Sequence, residues 1–220
     1  MNKKAILKEL GRIGALVQNS HIVYTSGRHG SEYVNKDAIY PHIDLTAALC
    51  RELAAPFFDQ NVEAVLAPAL GGIILSQWTA HHIQAATAQP VLALYAEKSG
   101  EGFLLTRGYD KLIAGKRTLV VEDVVTTGGS IKAVVRLATA SGAKLVGAAV
   151  LCNRGGIQAK AVGDVPKLHS LLELSLDSWA PDQCPLCAKD IPINTDFGKG
   201  REFLAKRIRP ADLVANGGKP

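Results

Sequence analysis

No apolar run in these 220 residues approaches the roughly 18 that a membrane-spanning helix requires, which excludes a helical membrane span. A signal peptide is not expected either, because Lys8, Glu9 and Arg12 break up the apolar residues at the start. Ile6, Leu10, Ile13 and Val17 instead fall on one helix face, and the expected location is the cytoplasm. Two nucleotide-binding signatures are missing. There is no GxxxxGK followed by Ser or Thr, and no GxGxxG follows a strand pattern. Long-period repeats and low-complexity segments are absent as well, and only Val214 to Pro220 reads as a fraying tail.

Cysteine is scarce, with Cys50, Cys152, Cys184 and Cys187 the 4 present. Cys184-Pro-Leu-Cys187 can offer two thiolates to zinc, but a structural zinc site takes four ligands. Cys152 ends an apolar strand, Cys50 lies in an apolar helix, and His169 has no ligand-like spacing to the pair. A plain surface turn around Pro185 is therefore expected, with a zinc site or a redox dithiol as alternatives, and no residue is assigned to a resident metal. Acid excess is also missing. The net charge of +5 suits nucleic acid or a small polyanion. The densest basic group, Lys199, Arg201, Lys206, Arg207 and Arg209, has Phe203 as the only aromatic within its span and carries no recognition-helix or RNA-module signature. It reads as a solvated helix face, and neither nucleic acid nor membrane is an expected partner.

What the chain does have is concentrated in Thr118 to Ser130. Leu119, Val120 and Val121 form the apolar, β-branched run of a parallel strand covered on both faces. Ile131, Val134, Val135 and Ala138 then recur at helical spacing. Between strand and helix lie Glu122, Asp123, Val124, Val125 and the turn Thr126-Thr127-Gly128-Gly129-Ser130. Free backbone N–H groups at a helix start, with three hydroxyls beside them, can hold a phosphate monoester. Two adjacent acids at a strand end cost several kcal/mol if buried without partners. A ribose 2,3-diol is the natural donor pair for them, and its 5-phosphate would then sit in the turn. The bland alternative is a helix cap beside two solvated acids.

A second strand-to-helix turn, Pro68-Ala69-Leu70-Gly71-Gly72, follows the strand pattern Glu63 to Ala67. Asp44 is expected to cap the preceding helix, which carries Leu45, Leu49, Leu53 and Phe57. Further strands over 91–95, 118–122 and 145–151 alternate with helices, giving βαβ units and an α/β fold with a parallel sheet flanked by helices. Both glycine turns then lie on the carboxyl edge of that sheet, where such folds bind ligands. Two anion cradles on one edge suit a ligand phosphorylated at two ends, although Ala69 to Gly72 alone also fits tight helix packing.

The order of parts from Leu119 to Ser130 resembles the 5-phosphoribosyl-1-pyrophosphate (PRPP) motif of type I phosphoribosyltransferases. The resemblance implies that Glu122 and Asp123 hold the ribose, that Val124 to Ser130 hold the 5-phosphate, and that Ala69, Leu70, Gly71 and Gly72 hold the pyrophosphate. It also implies magnesium bound with PRPP. His21-Ile-Val-Tyr-Thr-Ser-Gly-Arg-His-Gly-Ser-Glu-Tyr-Val-Asn-Lys-Asp37 resembles the hood segment of the orotate phosphoribosyltransferases, with one extra residue between Ser-Gly and the second Ser. Short strands around Tyr24 and Tyr33 are expected to form its hairpin, with Ser26 and Gly27 presenting backbone to the base. Arg154, after the strand that follows the PRPP helix, matches a base-contacting arginine of that family, and a guanidinium suits an anionic, planar pyrimidine.

Between Tyr95 and Tyr109 the same family carries a mobile, cation-rich loop. This chain keeps Lys98 there but has Glu97 where an arginine is common, and no histidine. Thr25 and Leu70-Gly71 stand where some members have lysines. Lys98, with Arg107, is left to stabilise the leaving pyrophosphate. The resemblance extends through Cys184 to Ile193. It implies one domain over 1–220, with a hood over 1–43, a PRPP-binding core over 44–165 and an extension over 166–220. It further implies a homodimer that transfers phosphoribose from PRPP to orotate, with Glu122, Asp123 and Lys98 catalytic. A phosphoribosyltransferase for another base such as a purine, and a PRPP-binding regulator, are the alternatives.

Overall fold

The computed structural model of the chain describes residues 1–100, 102–174 and 177–207. The expected tail Val214–Pro220 and Arg209 of the basic group lie outside these residues. In chain order the elements are α1 (Lys3–Arg12), β1 (Leu16–Val17), β2 (Ile22–Val23), β3 (His29–Gly30), β4 (Tyr33–Val34), α2 (Ile43–Ala54), β5 (Ala64–Pro68), α3 (Gly71–Thr87), β6 (Leu92–Ser99) and β7 (Gly102–Leu104). They continue with α4 (Tyr109–Ile113), β8 (Arg117–Val125), α5 (Gly129–Ala140), β9 (Lys144–Asn153), β10 (Leu168–Glu173), β11 (Ser178–Trp179) and α6 (Gly200–Arg207). They form two compact units, Met1–Ile13 with Lys36–Ser175 and Gly14–Asn35 with Leu176–Pro220. These bounds differ from the expected division at 43 and 165, because α1 and the segment from Lys36 belong with the larger unit.

The larger unit is built on a 6-stranded sheet in the order β10-β9-β8-β5-β6-β7. All neighbours run parallel except the β6–β7 ribbon. Every residue of β5 is buried, as a strand covered by helices on both faces requires. On α5 the four positions expected from helical spacing, Ile131, Val134, Val135 and Ala138, are the buried ones. They pack with Leu66, Val120 and Val150 of the sheet into one core, and a buried aliphatic side chain of this size contributes roughly 1.5–3 kcal/mol. The chain leaves β5 toward β6 on one side and returns as β8 on the other. The carboxyl ends of β5 and β8 therefore flank a point where the winding direction reverses, the usual ligand crevice of such sheets.

Three expectations for this unit are corrected. β8 runs on to Val125 because β9 continues beside it, with Val124 opposite Cys152 and Val125 opposite Asn153. Glu122 and Asp123 thus lie within the strand rather than at its end. Helix α1 stops at Arg12, since Gly14 turns the chain with φ 71°, and Val17 belongs to β1 instead of the helix face. The cap position of α2 is His42, and Asp44 stands in the first turn, where its charge still favours the positive helix end.

Among the described residues, the strands of the smaller unit are two residues each. β2, β3 and β11 form one sheet, and β1 pairs with β4. The hairpin is β2 with β3, closed by Tyr24 N donating to Arg28 O at 2.8 Å. The strand around Tyr33 pairs with β1, so Tyr24 and Tyr33 do not mark two arms of one hairpin as expected. A further correction concerns the Cys184–Cys187 turn. Cys184 is only 3% exposed, because its sulfur packs against a buried histidine and not against solvent.

Candidate active site

β8 delivers two carboxylates into the protein interior, Glu122 at 7% and Asp123 at 6% exposure. Beyond Val125 the chain turns through exposed Thr126 and Thr127, and Gly128 takes φ 75° at the head of α5, a conformation open chiefly to glycine. A Cβ there would also stand 3.2 Å from Val162 Cγ1. Glu122 and residues 124–131 line an open cavity of about 260 Å³. Its floor is the N-terminal end of α5, whose first N–H groups have no partner within the helix and suit an anion.

Asp123 is the better satisfied of the two acids. Its Oδ1 accepts from Val124 N at 2.6 Å, and its Oδ2 pairs with Lys36 Nζ at 3.1 Å and accepts from Tyr40 Oη at 3.4 Å. Burial acts to lower the Lys36 ammonium, but the Asp123 charge and hydrogen bonds to Asp123 and Asp37 outweigh it, so its pKa is raised. Burial, then the Asp123 charge, push the Tyr40 hydroxyl well above its ordinary range, which keeps it a donor. Glu122 contrasts with its neighbour. Its Oε2 is buried with no hydrogen-bond partner, and burial, then the charge of Asp123, push its carboxyl up to about 8. Two adjacent buried acids beside one ammonium leave the proton on the one without the cation.

The second glycine turn meets the first at Asp123. A Cβ built on Gly71 would overlap Asp123 Oδ2 and lie 2.7 Å from Lys36 Nζ, so glycine is what lets the turn come this close to the pair as they stand. Leu70, just ahead of α3, is 83% exposed, and Ala69 N donates to Ala96 O at 2.8 Å, tying the turn to β6. A third turn joins them from β9. Arg154 N donates to Val125 O at 2.8 Å, and Asn153 holds Ile157 through two side-chain hydrogen bonds of 2.9 Å. Arg154 is thereby fixed, half-buried, beside the Thr126 turn.

The structure brings together Glu122, Asp123, the turn from Val124 to Ser130, the turn from Ala69 to Gly72, and Arg154. Lys98 stands elsewhere, exposed on the β6–β7 ribbon opposite Phe103. Arg107 is engaged by Glu97, Nε to Oε1 at 2.9 Å. Ser26 and Gly27 occupy the exposed β2–β3 turn of the smaller unit, with Gly27 at φ 78°. The segment from Tyr95 to Tyr109, expected as a loop, is largely an extension of β6 paired to β7. Sequence reasoning missed Lys36 and Tyr40. Only their distant pairing with Asp123 marks them, although an acid pair that needs a partner is itself a reason to search for a nearby cation.

Residues 36–186 match the model of the phosphoribosyl transferase domain. Orotate phosphoribosyltransferase of Pelotomaculum thermopropionicum is 37% identical over 192 residues, covering 87% of this chain and 95% of the relative. The enzyme of the same name from Caldicellulosiruptor saccharolyticus is 34% identical over 88% of this chain and 95% of its own length. Among solved structures, orotate phosphoribosyltransferase of Mycobacterium tuberculosis superposes with a TM-score of 0.63 at 24% identity, covering 79% of this chain and 96% of that one. An adenine phosphoribosyltransferase from Rhodothermus marinus reaches a TM-score of 0.55 at 23% identity, over 78% and 99% of the two chains. At that identity the two structures establish the fold, and a fold shared by proteins named for different bases does not select a base.

Proposed function

The chain belongs to the phosphoribosyltransferase family, and from that premise we propose that it transfers the 5-phosphoribosyl group of PRPP to orotate, releasing pyrophosphate. The observation that carries the proposal is the meeting of two glycine turns at Asp123, where a Cβ on Gly71 would overlap the carboxylate. A ribose bound there has an anion cradle at each end. The turn from Val124 to Ser130 takes the 5-phosphate through backbone N–H groups and the hydroxyls of Thr126, Thr127 and Ser130. The turn from Ala69 to Gly72 takes the pyrophosphate. Orotate is supported by the relatives named for it over most of the chain, and by Arg154, whose backbone is tied to Val125 beside the phosphate turn and whose guanidinium suits the base carboxylate.

A ring nitrogen of the base, its proton given up to solvent, bonds C1 as the C1–O bond breaks, and the bonding pair leaves on pyrophosphate. Positive charge grows on the ribose while negative charge grows on the leaving group, so positioning and electrostatics do the catalytic work. Asp123, oriented by Lys36, Tyr40 and the Val124 amide, faces the ribose and favours its cationic form. Glu122, its Oε2 buried without a partner, receives that partner from a ribose hydroxyl. Lys98 and Arg107 serve the pyrophosphate when the β6–β7 ribbon reaches it, and in a homodimer the neighbour's ribbon is the natural source. Magnesium fits this site as a companion of PRPP, because Asp123 is already engaged by Lys36 and Glu122 is held toward its neutral form. When bound it screens the charge of the pyrophosphate. The cytoplasm is the proposed place of action.

The test is pyrophosphate release from PRPP and magnesium with each nucleobase in turn. Turnover with orotate and not with adenine, guanine or hypoxanthine is expected. Preference for a purine overturns the base assignment, and PRPP binding without release under any base overturns the enzymatic one.

A further inference from the structure

Four side chains outside the carboxylate site converge within the smaller unit. His21 leads into β2, His29 lies on β3, and Cys184 and Cys187 flank the Pro-Leu turn. One ring nitrogen of each histidine and both sulfurs lie within 4.8 Å of one another. His21 Nε2 is 2.8 Å from His29 Nδ1 and 3.6 Å from each sulfur, and Cys187 Sγ is 3.4 Å from His29 Nδ1. A tetrahedral zinc ion with bonds of about 2.3 Å to sulfur and about 2.0 Å to nitrogen sets N···S edges of about 3.5 Å and an N···N edge of about 3.3 Å. Three N···S separations already match. The N···N edge has to open by about half an ångström, as it does when both lone pairs turn from each other to a cation.

The surroundings fix His21 in the required tautomer. His21 Nδ1 lies 2.7 Å from Ile191 O, and a carbonyl only accepts, so Nδ1 carries the proton and Nε2 presents its lone pair to the cluster. Ile191 is placed by the cysteine turn itself, through its N–H to Leu186 O at 3.0 Å, while Ala188 N donates to Cys184 O at 3.1 Å. Asn194 N donates to His21 O at 2.8 Å, which holds the histidine against the same segment. Phe203 of α6 covers His29 edge-on, with centroids 4.9 Å apart.

Among its described residues this unit has little regular structure to close it. Its strands are two residues each, and His21 and His29, at 2% and 0% exposure, occupy positions where a larger unit would place aliphatic side chains. Small units with little core are commonly closed by a metal. We infer that His21, His29, Cys184 and Cys187 hold one structural zinc ion that staples the β2–β3 hairpin to the segment after β11. Two thiolates and two imidazoles in tetrahedral disposition suit zinc rather than magnesium or calcium, and four protein ligands leave no open position for catalysis. The zinc alternative from the sequence is thus favoured over the surface turn, because the two missing ligands come from a hairpin far away in the chain. The inference does not depend on the proposed reaction.

Metal analysis of the full-length protein, purified under reducing conditions and re-exposed to zinc ions, tests it directly. Roughly one zinc per chain is expected. Replacement by cobalt should give the visible bands of a tetrahedral site with thiolate-to-cobalt charge transfer. The double variant Cys184→Ser with Cys187→Ser should lose the metal, and Cys50→Ser with Cys152→Ser should keep it. Wild-type stoichiometry and the cobalt spectrum decide the matter even if the first variant does not fold. Less than half an equivalent of zinc in folded wild type, a cobalt spectrum without thiolate bands, metal retained by the folded double variant, or a Cys184–Cys187 disulfide found after thiol blocking would each overturn the inference.

Discussion

Around Asp123 the buried polar groups are two carboxyls beside an ammonium at the carboxyl edge of a six-stranded sheet, whereas around His21 they are imidazoles and thiols held by strands of two residues. The first cluster is unfinished without a ligand, since Glu122 Oε2 has no partner and the turn beyond it is a cavity. The second cluster converges all its donors on one point. A large core can carry an unsatisfied group at its edge because many aliphatic contacts compensate for it, and binding sites are commonly placed where stability is given up for function. A small unit has no such margin, so its buried polar groups must satisfy one another or share a cation. Substitutions around Asp123 should therefore cost activity while sparing or even raising stability. Removal of the His–Cys ligands should do the reverse.

The largest effect expected from this contrast is on stability, at Glu122. Its carboxyl is raised from 4.5 to about 8 by burial and the Asp123 charge. A raised folded-state value means that its contribution is fully present below about 4.5 and is lost as the pH climbs through about 8. Between pH 5 and 8 the ligand-free protein should lose about 3 kcal/mol from this group alone. Glu122→Gln, which keeps the shape without the titration, should flatten the curve and leave the variant more stable than wild type at pH 8. Urea midpoints measured at each pH unit check this, and equal slopes in the two proteins would break the comparison.

Next in size is Asp123→Asn, expected to lower kcat/KM for PRPP by about 10²-fold or more, because in the proposed reaction the group faces developing charge on the ribose. Its melting temperature should stay close to that of wild type. A variant that unfolds instead would make Asp123 a structural partner of Lys36, and the division between a site for ligand and a site for structure would fail. Gly71→Ala follows. The added Cβ would overlap Asp123 Oδ2 and crowd Lys36 Nζ, so the two side-chain ends or the turn must shift. Displacement of the turn should raise KM for PRPP by about tenfold or more, and an unchanged KM would separate the two glycine turns functionally.

Legibility followed the range of the contacts. The strand, acids, turn and helix from Thr118 to Ala138 are local in sequence, and periodicity with glycine placement was enough to find them. The parallel sheet followed from the repetition of such units. Lys36 and Tyr40 were not legible, because they reach Asp123 from a segment that carries no periodic signal. The limits of β8 were misjudged for a related reason: its last residues are held by pairing with β9, a partner that reading β8 alone does not reveal. The cysteine pair was visible but its histidines were not, since His21 and His29 sit eight positions apart across a hairpin turn and match no contiguous ligand spacing.

The smallest effect is expected at Thr127, and it sharpens the contrast inside the ligand site itself. Thr127 is exposed at the turn, without the burial that makes Asp123 and Glu122 sensitive. Its hydroxyl faces the phosphate end of the proposed ligand, remote from the bond that breaks, and such an interaction is equally strong in ground and transition states. Thr127→Val should thus raise KM for PRPP about three- to tenfold, as loss of one hydrogen bond to an anion in partly solvated surroundings implies. The value of kcat should hold, because uniform binding alters occupancy and not the barrier from the bound state. Steady-state kinetics at saturating orotate, with PRPP varied, separate the two constants. A fall confined to kcat would mean that the phosphate turn moves during the reaction, and the cradle would then belong with Asp123 among the groups that act on the transition state.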